Sequence, residues 1–262
     1  QDYQLKAEKG QGSPFYSIQL KRDSLWPLWK DPIRSNTIRI QSMTELIQWY
    51  KPYYLDSASQ FADDLVNFIE SFGDQKRLAK ALLLKAEILI DENNHPQVID
   101  LCDRSSKLNS GDSWISAKCK LLSAKSYSGT GDDEKAKKLL RKSLSLFSKL
   151  DDHSQMVSIY NTMGLIFNRT NTVDSALYYF NKSEKIALYV KDLKRLSQLN
   201  LNIGLVYNQT GNQKIALRYF IQSEKQARKV NDYQLMGANS TNIGFIYQQT
   251  GEFIKALNYF EK

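Results

Sequence analysis

NIGLVYNQTGNQKIALRYF (202–220) and NIGFIYQQTGEFIKALNYF (242–260) are two copies of one pattern, set forty residues apart. TMGLIFNRTNTVDSALYYF (162–180) carries it nearly as closely, and AKSYSGTGDDEKAKKLL (124–140) carries a weaker form. Working outward, Asp112, Asp152, Asp192 and Asp232 share one phase, as do Ala124, Gly164, Gly204 and Gly244. Tyr127, Phe167, Tyr207 and Tyr247 share another; Ala136, Ala176, Ala216 and Ala256 share a fourth, followed by Leu140, Phe180, Phe220 and Phe260. A fixed period of this size means one supersecondary unit stacked on copies of itself.

Each column has a physical reason. An aspartate ahead of an apolar-periodic run offers a side-chain oxygen to the free N–H groups of a helix start, and Gln155 three residues after Asp152 completes a capping-box pattern. Within that first helix the small residue and the aromatic three positions on lie on one face, so a neighbouring helix can approach closely beside the ring. The helix stops at Thr130-Gly131, Thr210-Gly211 and Thr250-Gly251, where glycine takes the left-handed conformation; Asn171 replaces it in one repeat. A second helix sets Ala216 and Phe220 four residues apart on the stripe facing the first. The repeating unit is an antiparallel helical hairpin.

These columns resemble the tetratricopeptide repeat, with its small residue and aromatic on the first helix and its alanine and aromatic on the second. The usual repeat has about 34 residues, so this one is longer. Longer repeats of this kind resemble those of kinesin light chains, bacterial peptide-sensing regulators and the sensor regions of bacterial signalling proteins. The resemblance spans 112–262. It implies an all-α, right-handed α-solenoid of antiparallel hairpins, a TPR-like superhelix.

Upstream the signal fades. Asp74 could cap a helix carrying Ala86 and Leu89, with Val98 and Cys102 in the places of the alanine and the aromatic and Pro96 near the start of the second helix. MTELIQWYK (43–51) and SASQFADDLVNFIESF (57–72) form a further helical pair, divided at Pro52. Residues 1–41 hold Pro14, Pro27 and Pro32 and alternate in FYSIQL (15–20) and TIRIQ (37–41), which predicts an irregular segment with short extended stretches. Trp26 and Trp29 within it are expected to cover the first hairpin as a cap. The expected organisation is 1–41 irregular, 42–111 divergent hairpins and 112–262 repeats. The last repeat stops shortly after Phe260, so an open end, a truncated final hairpin and self-association through it are expected. The start at Gln1, without an initiator methionine, fits a chain trimmed after a signal peptide as well as one cut from a cytoplasmic protein. No run is long enough to span a membrane, and the compartment stays open between cytoplasm and bacterial periplasm.

The formal net charge of +8 and the cluster Lys135, Lys137, Lys138, Arg141 and Lys142 invite a nucleic-acid reading. The basic residues are interleaved with polar ones and lack base-stacking partners, so a solvated outer face is expected instead. Two cysteines make no disulfide framework; Cys102 and Cys119 fall on facing parts of consecutive units and are expected as touching, reduced thiols. His95 and His153 lie in different units without neighbours at ligand or triad spacing. With no phosphate-cradling glycine motif and no metal-binding motif, neither an enzyme nor a cofactor or metal site is expected.

What remains is a surface. Beside the packing columns run Asn202, Leu205 and Gln209, repeated as Asn242, Phe245 and Gln249 and, one unit earlier, as Thr162, Leu165 and Arg169, with Asn161 and Asn168 alongside and Lys125 on the repeat before. First helices of stacked hairpins line the inner side, so these residues form a candidate concave groove of amides and apolar groups. An amide both donates and accepts, which suits the main chain of an extended peptide. In the long-repeat relatives that the sequence resembles, asparagines in this place hold peptide backbone; Asn202 and Asn242 match directly and Asn161 is one residue off. The amides fit equally the polar face of an amphipathic helix. The expectation is a peptide- or protein-binding scaffold, the sensory or interaction region of a larger signalling or regulatory protein, bacterial by the resemblance. Open alternatives are a structural adaptor using the convex face or the end of the array, and nucleic-acid binding through the outer helices.

Overall fold

The computed structural model describes residues 14–109 and 111–261, and among them thirteen helices follow one another with no strand. The fold is all-α, of the helical-repeat solenoid class. The chain divides after Thr130 into two compact units.

The first unit holds α1 (Pro14–Lys30), α2 (Asn36–Tyr50), α3 (Leu55–Glu70), α4 (Gln75–Asp91), α5 (His95–Leu108) and α6 (Ser113–Gly129). The expectation of an irregular segment over 1–41 is corrected where the structure describes it: residues 15–20 lie in α1 and residues 37–41 in α2. Residues 1–13 lie outside the described residues. The alternation there spans only five or six residues, whereas buried Ile18, Leu25 and Trp29 recur at helical spacing along α1. Ser35 caps α2 by accepting from the Ile38 N–H. Trp26 and Trp29 pack on Phe61 and Phe68 of α3, with ring centroids 5.4 and 4.9 Å apart. Both tryptophans thus pack on α3 of the α2–α3 hairpin. Further on, Asp74 caps α4 by accepting from Arg77 N–H, Pro96 sits in the first turn of α5, and Ala86, Leu89, Val98 and Cys102 are buried. The degenerate signature over 74–109 is a hairpin of the same design.

The second unit holds α7 (Asp133–Lys149), α8 (His153–Arg169), α9 (Val173–Tyr189), α10 (Leu193–Gln209), α11 (Gln213–Lys229), α12 (Tyr233–Gln249) and α13 (Phe253–Phe260). Asp152, Asp192 and Asp232 each accept from the N–H three residues on, and Asp112 caps α6 of the first unit likewise. The stop signals act as read: Gly131, Gly211 and Gly251 have φ of 87°, 79° and 80°, and Asn171 takes 56° in their place.

The glycine column has one cause, repeated. A Cβ on Gly164, Gly204 or Gly244 would stand 2.5, 2.6 or 2.4 Å from the ring of Phe180, Phe220 or Phe260. Each ring lies close against bare backbone, and Phe180 and Phe220 are fully buried. The aromatic three residues after the glycine pairs with a tyrosine of the second helix: Phe167 with Tyr179, Tyr207 with Tyr219 and Tyr247 with Tyr259, at centroid distances of 5.3, 5.7 and 5.8 Å. Buried serines tie the hairpins as well. Ser183 Oγ donates to the Val157 carbonyl at 2.7 Å, Ser223 Oγ to that of Ser197 at 2.7 Å, and Ser105 Oγ of the first unit to that of Ala79 at 2.8 Å. The first helices α8, α10 and α12 touch in succession and form one layer of the second unit.

Candidate functional site

The predicted surface residues fall in the second unit, on α8, α10 and α12, apart from Lys125, which lies on α6 of the first. The fixed packing of the glycine column decides which neighbours face outward. One residue after each glycine stand Leu165, Leu205 and Phe245: Leu165 is 43% and Phe245 51% exposed, and Leu205 is half-buried. The Phe245 ring also meets Phe260 edge-on at 5.4 Å. Further along the helices Arg169, Gln209 and Gln249 are exposed and Asn168 is half-buried. Arg169 pairs with Asp133, and Gln249 accepts from the Gln213 amide at 2.7 Å. The result is a column of apolar side chains, two exposed and one half-buried, bordered by polar residues of which Arg169 and Gln249 are held in place.

The amide column behaves differently. Asn202 is only 6% exposed; its Nδ2 donates to Asn161 Oδ1 at 2.8 Å, tying α10 to α8, and its Oδ1 accepts from Gln198 at 3.4 Å. Asn242 Nδ2 donates to the Ala238 carbonyl of its own helix at 2.9 Å, and buried Thr162 donates to Ser158 at 2.8 Å. This phase sits beside the glycine, where adjacent first helices meet, so its polar groups find partners inside the protein. Asn161 and Asn202 are brought together, though as each other's partner.

In the first unit, Trp114, Lys118 and Lys125 stand above one another on α6. Lys118 pairs with Glu87 of α4, and the Lys51 ammonium lies 3.0 Å from Asp91 and donates to the Glu87 carbonyl at 3.1 Å. Burial, and next the positive charge of Lys118, lower the Lys125 pKa to about 8; Glu87 opposes the shift and Lys51 adds to it.

The remaining titratable residues take structural places. His153 opens α8, its Nδ1 3.0 Å from the Asp151 carbonyl and its ring beside Tyr189. The His95 ring lies against Gly129, where a Cβ would stand 2.3 Å from it. Cys102 and Cys119 are buried free thiols, and a hydrogen bond shared between them, with burial, pushes the Cys102 thiol far up. On α7, Lys135 and Lys137 pair with Asp132 and Glu134 at 3.5 and 2.5 Å. Among the described residues no group of three or more histidine, cysteine or carboxylate side chains could hold a metal, and no helix is long and apolar enough to cross a membrane.

Two columns escaped the sequence reading although they keep the same period: Tyr179, Tyr219 and Tyr259, and Ser143, Ser183 and Ser223. The recurrence was there to be seen; the partner of each group was not.

A family model described as tetratricopeptide repeat matches residues 117–150. No curated protein matches the sequence. Among solved structures, the chain is similar to the Rap conjugation gene regulator of the plasmid pLS20 in complex with a Phr peptide, at TM-score 0.68 and 12% identity, covering 96% of this chain and 84% of that one. It is similar to aspartyl phosphate phosphatase F from Bacillus subtilis, at TM-score 0.63 and 15% identity, covering 97% and 83%. It is also similar to a signal transduction ATPase with a tetratricopeptide repeat sensor from Pyrococcus horikoshii, at TM-score 0.68 and 16% identity, covering 94% of this chain and 38% of that one. The hairpins are tetratricopeptide-like repeats, and the fold is shared with these proteins.

Proposed function

We propose that this chain is a peptide-binding module, the interaction region of a larger regulatory protein, and that the second unit receives an extended peptide across α8, α10 and α12. The observation that carries this reading is the column Leu165, Leu205 and Phe245. It sets an apolar side chain at the surface of three successive first helices, where the packing requirement is already met by the glycine beside it. Alternate side chains of an extended peptide would rest on this column. Its main chain would meet the bordering polar groups Asn168, Gln209 and Gln249. The Asn161–Asn202 pair then acts as a brace that fixes the spacing of α8 and α10. The peptide named with the Rap regulator supports the class of ligand, on a shared fold.

The test begins with a twelve-residue peptide library displayed on phage and selected on the chain. Affinities of the enriched peptides are then measured by fluorescence anisotropy. Leu165→Glu and Phe245→Glu are expected to weaken binding about tenfold or more, the effect of losing roughly 1.4 kcal/mol. Leu188→Glu, on the exposed face of α9, is the control and leaves it unchanged. Equal losses in all three variants, or no enrichment, would refute the reading.

A further inference from the structure

A cavity of about 410 Å³ opens in the first unit between α2, α4 and α6, floored by α3. Nothing in the repeat pattern foretells it, and the size is that of a small-molecule site. Its depth is apolar: Ile40 of α2, the buried Leu65 and Ile69 of α3, and Ala81 and Leu84 of α4. Its rim is cationic, with Arg77, Lys80 and Lys118 against the single carboxylate of Glu87.

The partners of these charges define what is missing. Glu87 is taken by Lys118, and Arg77 is held by Asp74 at 2.9 Å and by Thr37 at 2.8 Å. Lys80 alone on the rim has no ion pair or hydrogen bond among the described residues. One ammonium without a partner, at the mouth of an apolar cavity, matches a single negative charge on a hydrocarbon body. Besides Lys80, the Gln48 amide lines the cavity without a hydrogen bond among the described residues, so one positive charge and one neutral amide are on offer, which suits a carboxylate.

We propose that this cavity binds a small amphiphilic monocarboxylate, its chain of roughly eight to twelve carbons on the apolar floor and its carboxylate on Lys80. The site belongs to the first unit and does not depend on the peptide reading of the second.

Isothermal titration calorimetry on the full chain, with decanoate, decan-1-ol and decylamine as probes, tests it. One decanoate is expected per chain, bound at least tenfold more tightly than decylamine. Lys80→Glu should weaken decanoate at least tenfold and leave decan-1-ol unchanged, while Lys76→Glu, exposed and outside the cavity, leaves all three unchanged. Far-UV circular dichroism establishes that each variant is folded. Decanoate and decylamine binding alike, several decanoates per chain, no decanoate binding, or an unaltered affinity in folded Lys80→Glu would each overturn the proposal.

Discussion

At Gly204 one methyl group decides whether a hairpin closes. A Cβ there would lie 2.6 Å from the Phe220 ring, too close for either side to yield cheaply. Gly204→Ala is therefore expected to cost about 1–3 kcal/mol in chemical denaturation. Gly204→Ala with Phe220→Leu should recover much of that loss, because the two changes share one contact. Gly237, also within a helix, has nothing within 4 Å of its missing Cβ, so Gly237→Ala should stabilise by about 0.5–1 kcal/mol. A second residue-scale consequence concerns charge. The folded state holds Lys125 at a pKa of about 8, against 10.5 for the free side chain. Between those values the unfolded chain binds the extra proton, so this group makes stability rise with pH across the window, and its penalty is complete below the folded pKa. Lys125→Met should gain about 1–3 kcal/mol at pH 7, allowing for solvent screening, and lose that advantage by about pH 10.5. Denaturation curves of both proteins at pH 7 and pH 10 read the difference directly.

Helices were legible where their ends carry chemistry. α8, α10 and α12 are bounded by a capping aspartate and by a residue that tolerates positive φ, so both limits stand in the sequence. α11 ends on Asn231 at φ 54°, as α8 does on Asn171, but α9 ends on Lys191 at φ 56°, a residue that announces nothing. α1 was missed because Pro27 lies within it, so a short alternation outweighed a longer helical stripe. The amides mark the deeper limit. Asn202 and Gln209 are both polar residues on one helix, and sequence alone does not say that one is 6% exposed and bonded to Asn161 while the other faces water. That distinction depends on where the neighbouring helix lies. The cavity beside Lys80 was illegible for the same reason, since it belongs to the gaps between α2, α4 and α6 rather than to any residue.

At the scale of the whole chain, the same hairpin is used to two different ends. In the second unit it repeats faithfully and leaves an apolar column at the surface; in the first it diverges and leaves a cavity whose rim carries Lys80, an ammonium with no partner among the described residues. The regular columns explain capping and packing and are silent on the ligand, while the proposed functions rest on the residues beside them. The most direct measurement is photo-cross-linking of a selected peptide carrying benzoylphenylalanine at each apolar position in turn, with the attachment sites mapped by mass spectrometry. The account predicts adducts that step along α8, α10 and α12 at or next to Leu165, Leu205 and Phe245 as the probe moves along the peptide. Adducts confined to α9 and α11, or scattered without order, would contradict it.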